Sequence, residues 1–434
     1  MKKIYFLFVL LVSIQAIQAQ QVVPCYTTEV VNHYETMHPG YKDKINQAFA
    51  QNKNLLDQMR GSRGVNDDTL YKIPVVVHIV YTTPTENLPD SLVYSQIHVL
   101  NWDYNRWNED AVQTRDIFKP IAGSMHIEFY LADTDPNGNP TTGIVRKAGT
   151  PASTFLGFNA FQDNVKLAAE GDAAWNTDKY LNIWVCNLNT LPLGVLGYAY
   201  PPTGASNWPA GSETDSASQG VVIDYTAFGR NNPYVIDPGV VAGRTCVHET
   251  GHYLGLRHIW ADEAACAEDD GIDDTPKAGD QTNFNCDTTK NTCVDVGIDY
   301  PDMIENYMDY SDERCQNMFT RQQTDMMLLN LITLRPNLAH KVVIGVGVND
   351  THLEHSVSLY PNPSSDFIMI QFKSLLAMGT PISIFNSAGV KVKEERITDE
   401  SFKKQIDVRS FEPGIYYIQI ANATENYRLK FSVY

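Results

Sequence analysis

Residues 248–258 read His248-Glu249-Thr250-Gly251-His252-Tyr253-Leu254-Gly255-Leu256-Arg257-His258. On a helix, positions four apart differ by about 40° in azimuth, so His248 and His252 project side by side and can hold one cation. Glu249 follows one position on, close enough to reach a metal-bound water but not placed as a third ligand. Gly255 takes positive φ without penalty, so the helix can stop there and the chain can turn sharply. That turn returns His258 as a third ligand. Three protein ligands leave one coordination position open, the mark of a catalytic rather than a structural zinc site. Zinc lowers the pKa of a water in that position towards about 7. Glu249 is placed to take its proton, and the hydroxide can then attack a peptide carbonyl polarised by the metal.

Around this motif lies a chain of 434 residues, long enough for two or three domains. Hydrophobic residues make up 43% and charged residues 19%, a globular composition. The net charge of −18 argues against nucleic-acid binding and against attraction to anionic lipid. It suits bound calcium, which needs carboxylate oxygens. The chain starts MKKIYFLFVLLVSIQAIQAQ: two lysines, an apolar run from Ile4 to Ile14, then small residues. That is a secretory signal over residues 1–19, with cleavage after Ala19; the alternative is an uncleaved anchor. Nothing later has about 18 uninterrupted apolar residues, so no transmembrane segment is expected after signal removal. Outside the cytosol disulfides persist. Cys266, Cys286, Cys293 and Cys315 cluster after the zinc motif, while Cys25, Cys186 and Cys246 stand apart. Seven is odd, so at least one thiol is unpaired or paired in trans, and spacing alone leaves three pairings of the cluster open.

The chain divides by composition. Residues 20–68 form a polar pro-segment, helical over Tyr41 to Gln58, ending in the cleavable stretch MRGSRGVNDD. Residues 69–340 form the catalytic domain. Ile73 to Tyr81 is a buried strand, Ser95 to Trp107 a helix packed on the sheet, and His126 to Ala132 and Leu181 to Cys186 are further strands. Val195 to Tyr200 and Gly220 to Asp224 are short strand candidates. Asp237-Pro238 reads as the cap and first turn of the helix that carries the zinc motif. Glu263 to Asp302 is irregular, and Phe319 to Leu334 is helical again. A linker at 341–355 precedes residues 356–434, where seven short strands alternate with turns such as Glu412-Pro413-Gly414; this predicts a β-sandwich without a catalytic constellation.

HExxHxxGxxH is the motif of the metzincins, which also carry a methionine turn beneath the metal. Asn306-Tyr307-Met308-Asp309-Tyr310 supplies it here, with Met308 as apolar floor and Tyr310 as a hydroxyl for the oxyanion. HETGHYLGLRHIW, Asp273-Asp274-Thr275-Pro276, Asn306 to Tyr310, Ser311-Asp312 and Cys315 together resemble the pappalysin family, in particular its bacterial secreted branch, most densely over Arg244 to Arg321. The resemblance implies an α+β metzincin catalytic domain, with a mixed twisted sheet and an active-site helix. It implies disulfides Cys266–Cys293 and Cys286–Cys315. It also implies a calcium ion held by Asp270, Thr275 and the carbonyl of Ile272, with Asp269 and Asp273 as alternatives. The five acidic residues from Glu268 to Asp274 repel one another unless a cation neutralises them, which agrees.

Relatives of this kind are latent through a pro-segment cysteine, usually in an Arg-Cys-Gly-Thr setting; here the match is Pro24-Cys25-Tyr26-Thr27. A Cys25 thiolate could fill the open zinc position, and the alternative is a disulfide to Cys186 or Cys246. Cleavage near Arg60 or Arg63 would activate the enzyme. The resemblance also implies a preference for Arg or Lys after the scissile bond, read by an acidic residue shortly after the methionine turn. Asp312 and Glu313 occupy that stretch, and Glu313 is the favoured pocket residue. Leu359-Tyr360-Pro361-Asn362-Pro363, Asn386 to Gly389 and Pro413-Gly414-Ile415-Tyr416 resemble the C-terminal sorting domain of type IX secretion cargo in Bacteroidetes. That makes the tail an all-β immunoglobulin-like sandwich that engages the secretion machinery of a Gram-negative cell. The expected protein is a monomeric, secreted or surface zinc endopeptidase acting on protein or peptide substrates. The rival readings are an adhesin with a vestigial metal site and a zinc amidase or esterase.

Overall fold

A computed structural model describes residues 21–60, 69–149, 163–190, 193–202, 219–262, 266–267, 269–294, 297–343, 357–360, 364–372, 379–387, 389–398, 403–421 and 426–433. The expected signal peptide, the cleavable stretch 61–68 with Arg63, most of the linker and Pro361 to Pro363 lie outside the described residues.

Residues 21–60, expected as the pro-segment, fold as β1 (Gln21–Val23), α1 (Thr27–Met37) and α2 (Tyr41–Arg60). The catalytic part follows with β2 (Thr69–Tyr81), α3 (Asp90–Tyr104), β3 (Ile127–Leu131), β4 (Ile144–Ala148), β5 (Leu181–Cys186), β6 (Asn189–Thr190), β7 (Leu193–Val195), β8 (Gly197–Ala199), β9 (Val221–Asp224), α4 (Arg244–Tyr253), α5 (Arg321–Leu334) and β10 (His340–Val343). Strand β2 is the spine of a seven-stranded mixed sheet. It pairs in parallel with β3, β4 and β5, and β5 continues in parallel to β9. Two antiparallel strands finish the sheet: β10 on β2 and β8 on β9.

Alternate residues of a strand face opposite sides of its sheet. Val77, Ile79, Ile183, Val185, Val221 and Ile223 accordingly join the main core with α3, α4 and α5. Val80, Trp184, Cys186, Val222 and Tyr198 face the other way, onto Tyr26, Val30, Tyr34 and Tyr41 of the pro-segment. Both faces are covered, which is why β2 and β5 read as near-continuous apolar runs. The pro-segment is thus one layer of this structure. Its β1 adds a strand in parallel to β7.

The C-terminal strands β11 (Val357–Tyr360), β12 (Phe367–Phe372), β13 (Pro381–Asn386), β14 (Lys391–Arg396), β15 (Lys403–Asp407), β16 (Gly414–Ala421) and β17 (Asn426–Val433) form sheets β11-β12-β15 and β14-β13-β16-β17. Ile368, Ile370, Ile382, Ile384, Ile418, Ile420 and Phe431 alternate inwards and make the sandwich core. Edge strand β14, Lys-Val-Lys-Glu-Glu-Arg, carries enough charge to discourage pairing with another chain.

The structure departs from the sequence expectations at several element boundaries. The helix with the zinc motif starts at Arg244, not at Asp237-Pro238. Asp237 Oδ1 instead accepts from Gly239 N at 2.7 Å, a local turn that competes with a helix cap. Helix α3 starts earlier than Ser95, at Asp90 behind Pro89, and ends before Trp107, which is half exposed. Strand β10 reaches Val343, inside the expected linker. Among the described residues no helix is long and apolar enough to cross a membrane.

Candidate active site

Helix α4 begins against two long-range anchors. Its N-terminal cap is Gly243, in the left-handed region at φ 75°, and the Gly243 carbonyl accepts from Gln96 Nε2 of α3 at 2.9 Å. The free N–H groups of the first turn are met by Glu313: Oε2 accepts from Ala242 N at 2.6 Å, and Oε1 from Thr245 N at 2.7 Å and Thr245 Oγ1 at 3.1 Å. A carboxylate there also answers the positive end of the helix dipole. Arg244 carries the wrong sign for that end. Asp103 and Asp110 pair with it at 3.1 and 2.7 Å. Tyr104 Oη donates to the Val247 carbonyl at 3.0 Å and ties α4 to α3.

Every residue of α4 is buried. Met308 packs beneath it so closely that a Cβ on Gly251 would meet Met308 Sδ at 2.6 Å. Position 251, just before the second helical histidine, must therefore be glycine if the methionine is to form the floor. Gly255 stands at φ 92°, in the left-handed region, and ends the helix.

The three histidine rings converge. Their Nε2 atoms lie 3.0 to 3.2 Å from one another. Each Nδ1 faces an acceptor: the Tyr307 carbonyl at 2.6 Å for His248, the Leu256 carbonyl at 2.9 Å for His252, and Asp262 Oδ1 at 2.5 Å for His258. A carbonyl or carboxylate can only accept here, so each proton sits on Nδ1 and each Nε2 turns a bare lone pair inwards. Burial holds the His252 ring down at about 3, where it stays neutral. Three imidazoles with converging Nε2 atoms fit one borderline-soft cation, and zinc takes this donor set.

Cys25 supplies a fourth donor. Its Sγ and the three histidine nitrogens lie within 4.8 Å of one another. Cys25, Cys186 and Cys246 are all buried and unbonded, so neither alternative disulfide of Cys25 is formed. The structure joins Cys266 to Cys293 and Cys286 to Cys315. Thr27, unremarked in the sequence, makes a double contact: Oγ1 donates to Glu249 Oε2 at 3.0 Å and accepts from Ala199 N of β8 at 2.9 Å. Glu249 is fully buried, its Oε1 has no hydrogen-bond partner among the described residues, and burial pushes its carboxyl up to about 8. Tyr310 Oη lies 3.1 Å from His258 Nε2 and donates to the Cys25 carbonyl at 3.4 Å.

A cleft opens beside His248, lined by Leu196, Val240, Phe284, Asp309, Tyr310 and Glu313, with Pro24 of the pro-segment at its wall. Glu313 does line this cleft, but its oxygens are engaged by α4. Asp309 offers a second carboxylate: Oδ1 accepts from Thr282 N at 3.0 Å, while Oδ2 is buried and has no hydrogen-bond partner among the described residues. Asp312 pairs with Arg314 instead.

In the acidic loop, Asp270 is buried. Its Oδ1 accepts from Ile272 N at 3.0 Å and Thr275 Oγ1 at 2.7 Å, and Thr275 Oγ1 also lies 2.7 Å from the Ile272 carbonyl. Asp270 Oδ2 is buried without a partner among the described residues. Asp269 and Asp273 turn to Lys277 and Lys53 at 3.7 and 2.8 Å. A carboxylate, a hydroxyl and a carbonyl around one orphaned oxygen form a hard, all-oxygen donor set of the kind calcium takes.

A family profile described as pregnancy-associated plasma protein-A matches residues 165–331. Another, described as secretion system C-terminal sorting domain, matches residues 358–434. Among solved structures, promirolysin from Tannerella forsythia is 35% identical with a TM-score of 0.60, over 74% of this chain and 97% of that one. Mature mirolysin from the same organism, in complex with a cleaved peptide, is 39% identical with a TM-score of 0.55, over 62% and 95%. An extracellular metalloprotease of Arthroderma otae is 26% identical over 288 residues, covering 65% of this chain and 84% of the relative.

Proposed function

The chain belongs to the pappalysin family of metzincin metalloproteases, and we propose that it is a latent zinc endopeptidase whose general base is Glu249. The observation that carries this is the convergence of three histidine Nε2 atoms beside a buried carboxylate with one oxygen unpaired among the described residues. Zinc, held by His248, His252 and His258, supplies Lewis acidity to the scissile carbonyl and to the attacking water. Glu249 Oε1 takes the proton of that water and returns it to the departing amine. The Tyr310 hydroxyl donates to the oxyanion that develops on the carbonyl. Edge strand β8 offers Ala199 N and the Gly197 carbonyl to an extended peptide; in this form Thr27 Oγ1 and Tyr26 N occupy them. The sorting tail carries the protein to the outside or the surface of the cell. Peptide substrates and the type IX machinery are its partners.

With the pro-segment removed, Glu249→Ala is expected to lose about 10²- to 10⁴-fold in turnover of a casein-like substrate. Unchanged activity sinks the peptidase reading.

Latency rests on Cys25 as the fourth donor. Burial, and then the neighbouring Glu249 carboxylate, push its thiol well up, and a cation among the imidazoles reverses this because a coordinating thiol deprotonates. Intact Cys25→Ala precursor is expected to cleave a reporter peptide where the wild-type precursor is silent. If both are equally silent, the thiol is not the lock.

Asp270, Thr275 and the Ile272 carbonyl hold calcium. At calcium about a thousandfold above its dissociation constant the ion adds about 4 kcal/mol to stability, so a chelator is expected to lower the melting temperature by several degrees, with no such shift in Asp270→Asn. An equal shift in the variant removes the ion from this loop.

Cleavage before Arg or Lys follows from the acidic cleft beside His248. Because Glu313 is engaged by α4, Asp309 is the carboxylate with capacity for a cation. Asp309→Asn is expected to erase the preference for Arg over Leu in a peptide library. Glu313→Gln keeps it but loses about 1–3 kcal/mol in denaturant unfolding, since the amide brings a donor against Ala242 or Thr245 N–H. A library cut equally before Leu and Arg by the wild type discards the basic preference.

A further inference from the structure

The three histidines are not held alike. His248 and His252 sit on α4, and their Nδ1 protons go to main-chain carbonyls of Tyr307 and Leu256. Those acceptors are fixed by the fold. His258 lies beyond the helix, on the chain that turns back after Gly255, and has no helical neighbour to set its ring. Trp260 stacks on one side of the ring, with centroids 4.4 Å apart and planes 11° apart, and Tyr310 stands edge-on at 5.0 Å. These contacts fix the plane of the imidazole but not which way round it sits, since a 180° flip about χ2 keeps the same plane. Asp262 sets that choice: its Oδ1 accepts from Nδ1 at 2.5 Å.

The chain makes a costly turn to place this carboxylate. Ala261 and Asp262 are consecutive and both left-handed, at φ 56° and 62°. For residues with a Cβ that conformation is disfavoured by roughly 1–2 kcal/mol, less for Asp. The Ala261 amide closes the turn onto the His258 carbonyl at 3.0 Å. The result is that a residue four positions on folds back onto the ring it follows.

We infer that Asp262 is the positioning residue of the third ligand: its carboxylate fixes the tautomer and ring rotation of His258, raises the basicity of Nε2 and thereby sets the zinc affinity of the site. This rests on the reading that the three histidines hold zinc. A carboxylate behind a ligating imidazole does both jobs because it accepts the Nδ1 proton and places negative charge behind the ring.

The alternative is that Asp262 merely tolerates the left-handed turn, and glycine separates the two. Asp262→Gly adopts that backbone without strain and removes the carboxylate; Asp262→Asn keeps an acceptor and loses the charge. The experiment measures zinc affinity of the full-length chain by competition with a chromophoric chelator, with circular dichroism and metal-free melting as controls. Cys25 is present in every preparation and cancels. Asp262→Gly is expected to bind zinc about 10- to 100-fold more weakly than wild type, with Asp262→Asn between them and metal-free melting of Gly no lower than wild type. Zinc affinity within twofold of wild type in both variants overturns the inference and leaves Asp262 a turn residue. A wild-type chain that binds no zinc at all overturns the histidine reading itself, and the inference with it.

Discussion

Three imidazole lone pairs held 3.0 to 3.2 Å apart repel one another, and the surrounding fold keeps them there. The fold does so through backbone, not through flexible side chains. Helix α4 sets two rings, left-handed Gly255 returns the third, and Gly251 lets Met308 close the floor. Each ring is then locked from behind by an acceptor at Nδ1. A cation turns that repulsion into attraction. The site is preorganised for the ion, and the cost of gathering the ligands is met by the packing of α4 between the sheet, α3 and the methionine turn.

How far this could be read from the chain depends on whether the determining contacts are local. The zinc motif is local: its spacing, its glycine and its methionine turn are legible as written. So are the C-terminal strands: period-two alternation facing a sandwich core marks most of them, while charged edge strand β14 faces outwards. The start of α4 is not legible. Asp237-Pro238 looks like a cap, but the anion at the helix end is Glu313, far along the chain. The same contact hides the cleft's chemistry. Glu313 attracts notice as an acid after the methionine turn, while Asp309, inside the turn, holds the oxygen that is actually unpaired. The start of the pro-segment is hidden in a similar way, although α2 is legible. Among the described residues β1 pairs with β7 alone, and α1 shows little apolar periodicity because it buries three residues, Thr27, Val30 and Tyr34.

Residues 25–27 deal with three parts of the machinery in one short run. Cys25 faces the histidines, Tyr26 N bonds the edge strand at 2.9 Å, and Thr27 bridges Glu249 to the same strand. Main-chain contacts of this kind need no particular side chain, which fits the survival of the arrangement with Pro24 and Tyr26 in place of the Arg and Gly of the usual setting. What does need a particular side chain is the pair Cys25 and Thr27, and both are present.

The hold on this run comes from elsewhere. Tyr26, Val30, Tyr34 and Tyr41 are buried in the second core, and Leu56 of α2 reaches the first. Fully burying one such side chain is worth roughly 1.5–3 kcal/mol. Further along, Phe49 of α2 lies under Arg257, whose guanidinium sits 4.1 Å from the ring centroid, and against Gly271 of the acidic loop. Lys53 pairs with Asp273 in the same loop, an exposed contact of small weight. Apolar burial on the sheet therefore outweighs the exposed Lys53–Asp273 pair in seating the pro-segment. Residues 25–27 are held as firmly as α1 and α2 pack. The Cys25 lock and the packed layer act together: the thiol supplies the fourth donor, and the apolar core seats it.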